Sequence, residues 1–464
     1  MLINIIFWIT KRKWLIITLL FGIVLCLFPP PQGLTLDGYR TFIILLISIL
    51  LIIFEPIPLP AVAMLILVFQ VFFGIASPNE VAASFMTDAV FFIMGSLMMA
   101  VAIVSQGLDK RLALGIINIT GHHTIRIVTG FVFFCAILSS FIGEHTVTAM
   151  MMPVGLTLVR HSSDDPKKIV KLTLLILFSI AYGSAIGSIG TPSGGGRNVI
   201  MLGYLSQFEM GNLSYLQWMK YTYPILLVEI PFAIILLWWT FKPEKKILDS
   251  AVRKLKVQVA KSGKITGHQI ASISIFLFVF LGWVFLSPSV GLGIISLFGV
   301  VLYLSFGLVD WKEINRNTNW GAIMLFGSAI SLGFQMKDTG AAIWVASELI
   351  NGLKILTDDI DFIRSFVSIF VTVGLTNFLS SSATVSVLGP IVLNMGGDSI
   401  IIALSTAMAS AFAYLTVVAS PTCMIIHSSG LVKSSDYLRC GWKMTIMSII
   451  VLLIFIHLFW PLPT

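Results

Sequence analysis

The chain has 464 residues, 57% of them hydrophobic and 11% charged, with a formal net charge of +8 and a mean hydropathy of +0.99. So large an apolar excess cannot be enclosed by one water-facing surface, which excludes a soluble enzyme and predicts helices packed on one another in lipid. The basic excess does not indicate nucleic acid, because Lys and Arg gather in short segments between apolar runs, as orientation signals do.

In chain order, Lys11-Arg12-Lys13 precede the apolar run Trp14–Phe28. No small-residue cleavage site follows, only Pro29-Pro30-Pro31, so this run reads as an uncleaved first helix. Spans are predicted over roughly 14–29, 38–54, 58–76 and 88–106, then a pair of short segments around Gly143. A glycine-interrupted span follows at roughly 169–205, another at 222–241, and a basic polar loop at 242–268. Beyond it lie spans at roughly 269–287, 290–309 and 320–336, short segments around Ser381, an interrupted span at 398–430, and a last span at 440–461. The predicted fold class is an all-α integral membrane protein, with about eleven transmembrane helices and two re-entrant hairpins.

Three basic clusters set the expected orientation: Lys11 to Lys13; Arg160, Lys167, Lys168 and Lys171; and the Lys and Arg residues from Lys242 to Lys264. All three are expected to be cytoplasmic, which places the N-terminus inside and Pro461–Thr464 outside. Trp8, Trp218, Tyr221 and Trp442 read as interface anchors, Glu55, Asp88 and Glu229 as boundary residues, and His122-His123 with Arg126 as an interfacial loop. The four cysteines show no C-x-x-C spacing and predict neither a metal site nor a disulfide.

The most informative stretch is Ser139-Ser140-Phe141-Ile142-Gly143-Glu144-His145-Thr146-Val147-Thr148, between the apolar segments Ile125–Leu138 and Ala149–Val159. Ionisable groups at such depth are costly and mark functional sites. A related stretch, Thr376-Asn377-Phe378-Leu379-Ser380-Ser381-Ser382-Ala383-Thr384, lies near the other end, and both run into a proline, Pro153 and Pro390. The halves also match as Phe92-Ile93-Met94-Gly95-Ser96 with Met324-Leu325-Phe326-Gly327-Ser328, and as Gly190-Thr191-Pro192 with Ala419-Ser420-Pro421. Three matched features in the same order predict inverted repeats around a central binding site. The Gly183–Arg197 run cannot be a continuous helix, since interior glycine costs about 1 kcal/mol and proline about 3. Such a break survives in hydrocarbon only where it lines a cavity, and it turns N–H groups toward an anion or carbonyls toward a cation.

These motifs, with Pro56-Ile57-Pro58-Leu59-Pro60, Met150-Met151-Met152-Pro153 and Ser429-Gly430-Leu431-Val432-Lys433, resemble the divalent anion/sodium symporter family over nearly the whole chain. The resemblance implies eleven membrane helices, two opposed hairpins with Ser-Asn-Thr tips, two unwound helices, a homodimer, and elevator-type transport of small di- or tricarboxylates. It divides the chain into N-terminal scaffold and dimerisation helices (1–87), a first repeat (88–241; hairpin near 125–160, broken helix near 169–205), the cytoplasmic basic loop (242–268), scaffold helices (269–319) and a second repeat (320–464; hairpin near 362–394, broken helix near 398–430). Carried over position by position, it implies substrate contacts at Glu144, His145, Thr146, Thr191, Pro192, Arg197, Ser381, Ser382, Ser420 and Pro421. If sodium is used, its ligands would be Ser139, Gly143, Glu144 and Gly190 in one half, and Thr376, Ser380, Ser381 and Ala419 in the other. The chain departs from the pattern at both tips, where the asparagines align with Glu144 and Ser381.

Those departures leave three coupling schemes open: sodium held by oxygen ligands, a proton carried by Glu144, or anion exchange with Glu144 fixed in a pair with Arg197 or His145. No cofactor is expected beyond a possible coupling sodium ion, and the expected location is the plasma (inner) membrane. A sulfate carrier, a channel and an intramembrane hydrolase built on Glu144-His145 or His427-Ser428 are the competing readings; the last lacks the H-E-x-x-H motif.

Overall fold

A computed structural model describes residues 13–163, 165–260, 265–355, 357–417 and 419–460. Trp8, Lys11, Arg12, Lys261, Lys264 and Pro461–Thr464, used above, lie outside the described residues. Those described form helices and connecting turns with no strand, and about 78% of the chain is helical.

The helices are α1 (Lys13–Cys26), α2 (Leu36–Phe54), α3 (Leu59–Phe72), α4 (Pro78–Phe85), α5 (Asp88–Ser105), α6 (Leu108–Thr120), α7 (Thr124–Ile142) and α8 (Glu144–Arg160). Then come α9 (Val170–Gly187), α10 (Gly196–Gln207), α11 (Tyr215–Thr240), α12 (Asp249–Ala260), α13 (Gly267–Phe285), α14 (Leu292–Ser305), α15 (Trp311–Asn317), α16 (Trp320–Asp338) and α17 (Ala341–Leu353). Helix α18 (Ile360–Phe366) passes through a π turn (Val367–Val371) into α19 (Thr372–Thr376), followed by α20 (Ser381–Leu393), α21 (Ser399–Ala409), α22 (Pro421–His427) and α23 (Ser434–Leu458). Seven described helices are long and apolar enough to cross a membrane: α2, α5, α7, α9 with its preceding 3-10 turn, α11, α13 and α23.

Contacts recur between matching elements of the two halves. Helix α3 runs parallel to α16, with Pro60 against Gly321 and the Gln70 amide oxygen accepting from the Ser331 hydroxyl at 3.0 Å. Helix α5 runs parallel to α14, where a Cβ on Gly95 would come within 2.6 Å of Ser296. Small residues at these seams let backbones approach, which is where dispersion drives association in lipid. Asp88 starts α5, and its carboxylate also accepts from Leu292 and Gly293 N–H at 3.1 and 3.0 Å, capping α14. Helices α11 and α23 lie antiparallel, with Lys443 donating to Thr240 near one end and Trp460 to the Tyr221 carbonyl near the other.

Two expectations are corrected here. The 242–268 segment is not all solvated loop: it carries α12, which packs on α6 and α8 and whose Ala251, Val252 and Leu255 bury with Leu248. Spacings of three and four residues put those side chains on one face, a periodicity masked by the basic residues between them. Trp218 is no interface anchor but fully buried, because its indole N–H has an internal acceptor, the Ile189 carbonyl at 3.0 Å.

Candidate functional site

The first half of the site begins where α7 stops. Gly143 has φ +85°, a conformation that only glycine adopts cheaply, and it reverses the chain into α8. Helix α7 lies directly on α9: a Cβ on Gly183 would sit 2.8 Å from Val132 Cα and its carbonyl oxygen. This contact brings the Ser139 and Ser140 hydroxyls to the end of α9, where they lie 2.8 Å from the Ser184 and Gly187 carbonyl oxygens.

Between α9 and α10 the chain unwinds from Ser188 to Gly195, except for a 3-10 turn at Pro192–Gly194. Every carbonyl from Gly187 to Thr191 has a side-chain donor. Ser140 serves Gly187, Trp218 serves Ile189, Thr222 serves Gly190 at 2.9 Å, and the Asn198 amide serves both Ser188 (2.9 Å) and Thr191 (2.8 Å). In hydrocarbon each unpaired carbonyl would cost several kcal/mol, so these donors make the break tolerable. Asn198, Trp218 and Thr222 were not singled out as site residues from sequence; the only available signal was polar groups facing inward on helices beside a known break. Replacing Asn198 by Ala is expected to lower stability by about 2 kcal/mol, since the buried Ser188 carbonyl is left without a donor and the Thr191 carbonyl keeps only the Gly194 N–H, read as a lower midpoint of thermal unfolding in detergent. An unchanged midpoint would mean that water replaces the amide.

Glu144 opens α8 and Arg197 the first turn of α10; both are buried, and Arg197 Nη1 lies 3.3 Å from Glu144 Oε1. Arg197 Nη2 also donates to the Ser188 hydroxyl, while its Nε has no partner among the described residues. The Thr191 hydroxyl is directed to the Ser140 carbonyl, and Ser193 joins Tyr215 at 2.7 Å. Thr191 and Pro192 are thus buried in the turn itself. His145, Thr146, Gly195 and Gly196 keep partial exposure beside the pair.

The second half is uncharged at its break. Thr376 donates to the Ser410 carbonyl at 2.8 Å where α21 ends. Asn377, four residues ahead of Ser381, the position aligned with the tip asparagine, accepts from Leu415 N–H at 2.9 Å, and its own carbonyl accepts from Thr416 at 2.7 Å. An asparagine therefore does hold the second hairpin to its unwound segment, one turn out of register with the resemblance. Ser380 caps α20, Ser420 caps α22, and the Ala419 carbonyl accepts no hydrogen bond among the described residues.

The halves meet at the start of α10. A Cβ on Gly196 would lie 2.7 Å from Phe326 and 3.3 Å from the Ser382 hydroxyl. Helix α8 packs against α22 and α10 against α20, so each hairpin's second arm touches the broken helix of the other half. Glu144, His145, Thr146, Arg197 and Ser382 are thus assembled round the starts of α8, α10 and α20, with Ser420 and Pro421 at the start of α22. The starts of α8 and α10 have no side-chain cap, so their free N–H groups and partial positive charge, with Arg197, suit an anion. A cleft of about 890 Å³ opens elsewhere, between α5 and the face of α10 that carries Leu202, Ser206 and Gln207, and one of about 510 Å³ between α4, α16 and the end of α10; neither is lined by any of the expected binding residues.

The family profile described as "Sodium:sulfate symporter transmembrane region" matches residues 10–463. The "Sodium-dependent high-affinity dicarboxylate transporter 3" of Caenorhabditis elegans is 26% identical, over 87% of this chain and 80% of that protein. The "Sodium-dependent dicarboxylate transporter SdcS" of Staphylococcus saprophyticus is likewise 26% identical, over 96% and 90%. Among solved structures, the YdaH transporter of Alcanivorax borkumensis is similar in fold, with a TM-score of 0.53 and 11% identity over 80% of this chain and 85% of that one.

Proposed function

Because the chain belongs to the sodium:sulfate symporter family, the divalent anion/sodium symporters, we propose that it is a secondary carrier of small dicarboxylates driven by a sodium gradient. It is a multi-pass membrane transporter and not an enzyme, so Glu144-His145 and His427-Ser428 are not hydrolase pairs. Two relatives bearing the name of sodium-dependent dicarboxylate transporters support the substrate class and the ion. The observation that carries the reading is the meeting of the uncapped starts of α8 and α10 around buried Arg197, where the halves touch.

In this reading the substrate carboxylates take the free N–H groups of α8 and α10 and the spare donors of Arg197, while His145, Thr146, Ser381, Ser382, Ser420 and Pro421 line the approach. Thr191 and Pro192 shape the turn rather than touch the anion. Arg197 also places a fixed positive charge beside Ser188 and Glu144, where the first cation ligand set (Ser139, Gly143, Glu144, Gly190) would lie. A mobile cation there would meet like charge, and the Gly190 carbonyl already accepts from Thr222. Sodium is therefore assigned to the second set, Thr376, Ser380, Ser381 and the Ala419 carbonyl, which has no fixed positive charge among its own residues.

The recurring pairs α3–α16 and α5–α14, and α8–α22 and α10–α20, support two inverted repeats with scaffold helices at 1–87 and 269–319. The two clefts, lying between α5 or α16 and α10, support movement of the hairpin domain past the scaffold as an elevator. The basic clusters support a cytoplasmic N-terminus in the plasma membrane, and the family a homodimer.

Uptake of labelled succinate or sulfate into proteoliposomes, driven by a sodium gradient, a proton gradient or internal anion alone, tests the proposal. Sodium-driven succinate uptake is expected, reduced about tenfold or more in Glu144→Gln, because Arg197 loses its charged anchor. Folded protein that moves neither anion under any gradient would overturn the carrier reading. Uptake driven by internal anion alone would remove the sodium assignment and leave exchange.

A further inference from the structure

Glu229 was read from sequence as a boundary residue, yet it lies near the middle of α11 with 0% exposure. Neither carboxylate oxygen has a hydrogen-bond partner among the described residues. The Tyr414 and Ser448 hydroxyls, also buried and unpartnered, lie near the same carboxyl, one on the unwound segment before α22 and one on α23. Three orphaned oxygen-bearing side chains on three elements meet there. Each orphan costs free energy in a dry interior, and an ionised carboxylate costs most. Among the described residues no ion pair reaches it: Lys443, on the same helix as Ser448, donates to Thr240, eleven residues along α11 from Glu229.

The other titratable groups on these packed elements are Tyr182 of α9, which donates to the Tyr414 carbonyl at 3.2 Å, Asp436, Tyr437, Arg439, Cys440 and His457 of α23, and Cys423 and His427 of α22. Through Tyr414 the cluster lies in the electrostatic reach of Arg197 and Glu144. The central charges are then one guanidinium and two carboxylates, an uneven set unless Glu229 binds a cation. The proton is the smallest candidate and suits this site, since it gives the carboxyl a donor for Ser448 or Tyr414 and needs no shell of oxygen ligands.

We propose that Glu229 is a proton-binding site of this carrier, facing the second broken helix, and that its occupancy is tied to anion binding at Arg197. The step is –COO⁻ plus H3O⁺ giving –COOH plus H2O: one O–H bond breaks on the hydronium ion, one forms on the carboxyl, and nothing is oxidised or reduced. A bound dianion makes the centre more negative and favours that uptake, and release of the dianion favours loss of the proton. The backbone link supports the tie: Tyr414 belongs to the segment held by Asn377 and Tyr182, so a change at its hydroxyl acts on the end of the second broken helix. The coupling to transport rests on the carrier reading above, but the protonation itself does not.

Infrared difference spectra of purified protein between about pH 6 and about pH 8 test the site without any substrate. The expected result is a carboxylic-acid carbonyl band in wild type that is lost in Glu229→Gln, kept in Glu55→Gln, and insensitive to sodium. A wild type without the band, a Glu229→Gln protein that keeps it, or a band erased by sodium would each overturn the proposal, the last by making the ligand a sodium ion. The wild-type spectrum decides even if the variant does not fold. Glu229→Gln copies the shape of the neutral acid, so it is expected to unfold no earlier than wild type. In unbuffered detergent solution, succinate addition is expected to draw protons from solution in wild type and not in Glu229→Gln. Succinate binding without proton uptake would sink the coupling alone, whereas absence of succinate binding with the band intact would sink the dicarboxylate reading and leave the proton site standing.

Discussion

Arg197→Met is expected to abolish anion uptake, a loss of about a hundredfold or more, and to lower stability by about 3–5 kcal/mol, the usual result of removing one partner from a buried ion pair. Glu144 would remain, buried, with its charge unmet. Arg197→Lys keeps the charge but not the planar fork that reaches Glu144 and Ser188 together, so partial stability and little uptake are expected. The double variant Glu144→Gln/Arg197→Met separates the two roles. Removing both charges together is far less costly than removing one, so its thermal midpoint is expected to recover toward wild type while uptake stays absent. Fluorescence-detected thermal unfolding and proteoliposome uptake on the same four proteins make the test. Recovery of both stability and transport would mean that the pair is structural and that the anion binds elsewhere.

The second large effect is expected at Gly183. Valine there would drive its Cβ to 2.8 Å from the Val132 Cα and carbonyl oxygen, both backbone atoms that no rotamer change can move. The hairpin would have to leave α9, and with it the hydroxyls of Ser139 and Ser140 that satisfy the end of that helix. Overpacking commonly costs about 1–3 kcal/mol, and the Ser184 and Gly187 carbonyls, left with only the Ser188 and Gly190 N–H groups, each lose a donor as well. Gly183→Val is therefore expected to yield little monodisperse protein on size exclusion. Gly352→Val, in α17 where nothing lies within 4 Å of the added carbon, is the matched control. Equal yields would show that α7 and α9 can separate without loss of the fold.

Much of this protein is written in its composition and punctuation. An excess of apolar residues with few charges permits only helices packed in lipid, since helices satisfy their own backbone there. Glycines beside Thr-Pro and Ser-Pro mark the breaks, because no continuous helix forms through them at tolerable cost. Glu144 and Arg197 stood out for a similar reason: charges in apolar runs are rare and need a cause.

What the sequence alone could not determine was pairing. That Glu144 meets Arg197, fifty-three residues away, depends on how α8 and α10 are brought together, and no local pattern encodes it. Asn198, Trp218 and Thr222 were passed over because their partners are backbone carbonyls, and Asn377 because its partner is the Leu415 N–H; a backbone group leaves no mark in the letters of a sequence. Glu229 was misplaced for the same reason. Beside a proline it reads as a helix end, but α11 runs on for 26 residues through Pro224 and Pro231, held by α23. Depth in a bundle is fixed by neighbouring helices rather than by the residues on either side, so only the tertiary structure places that carboxyl in the dry centre, near Tyr414 and Ser448.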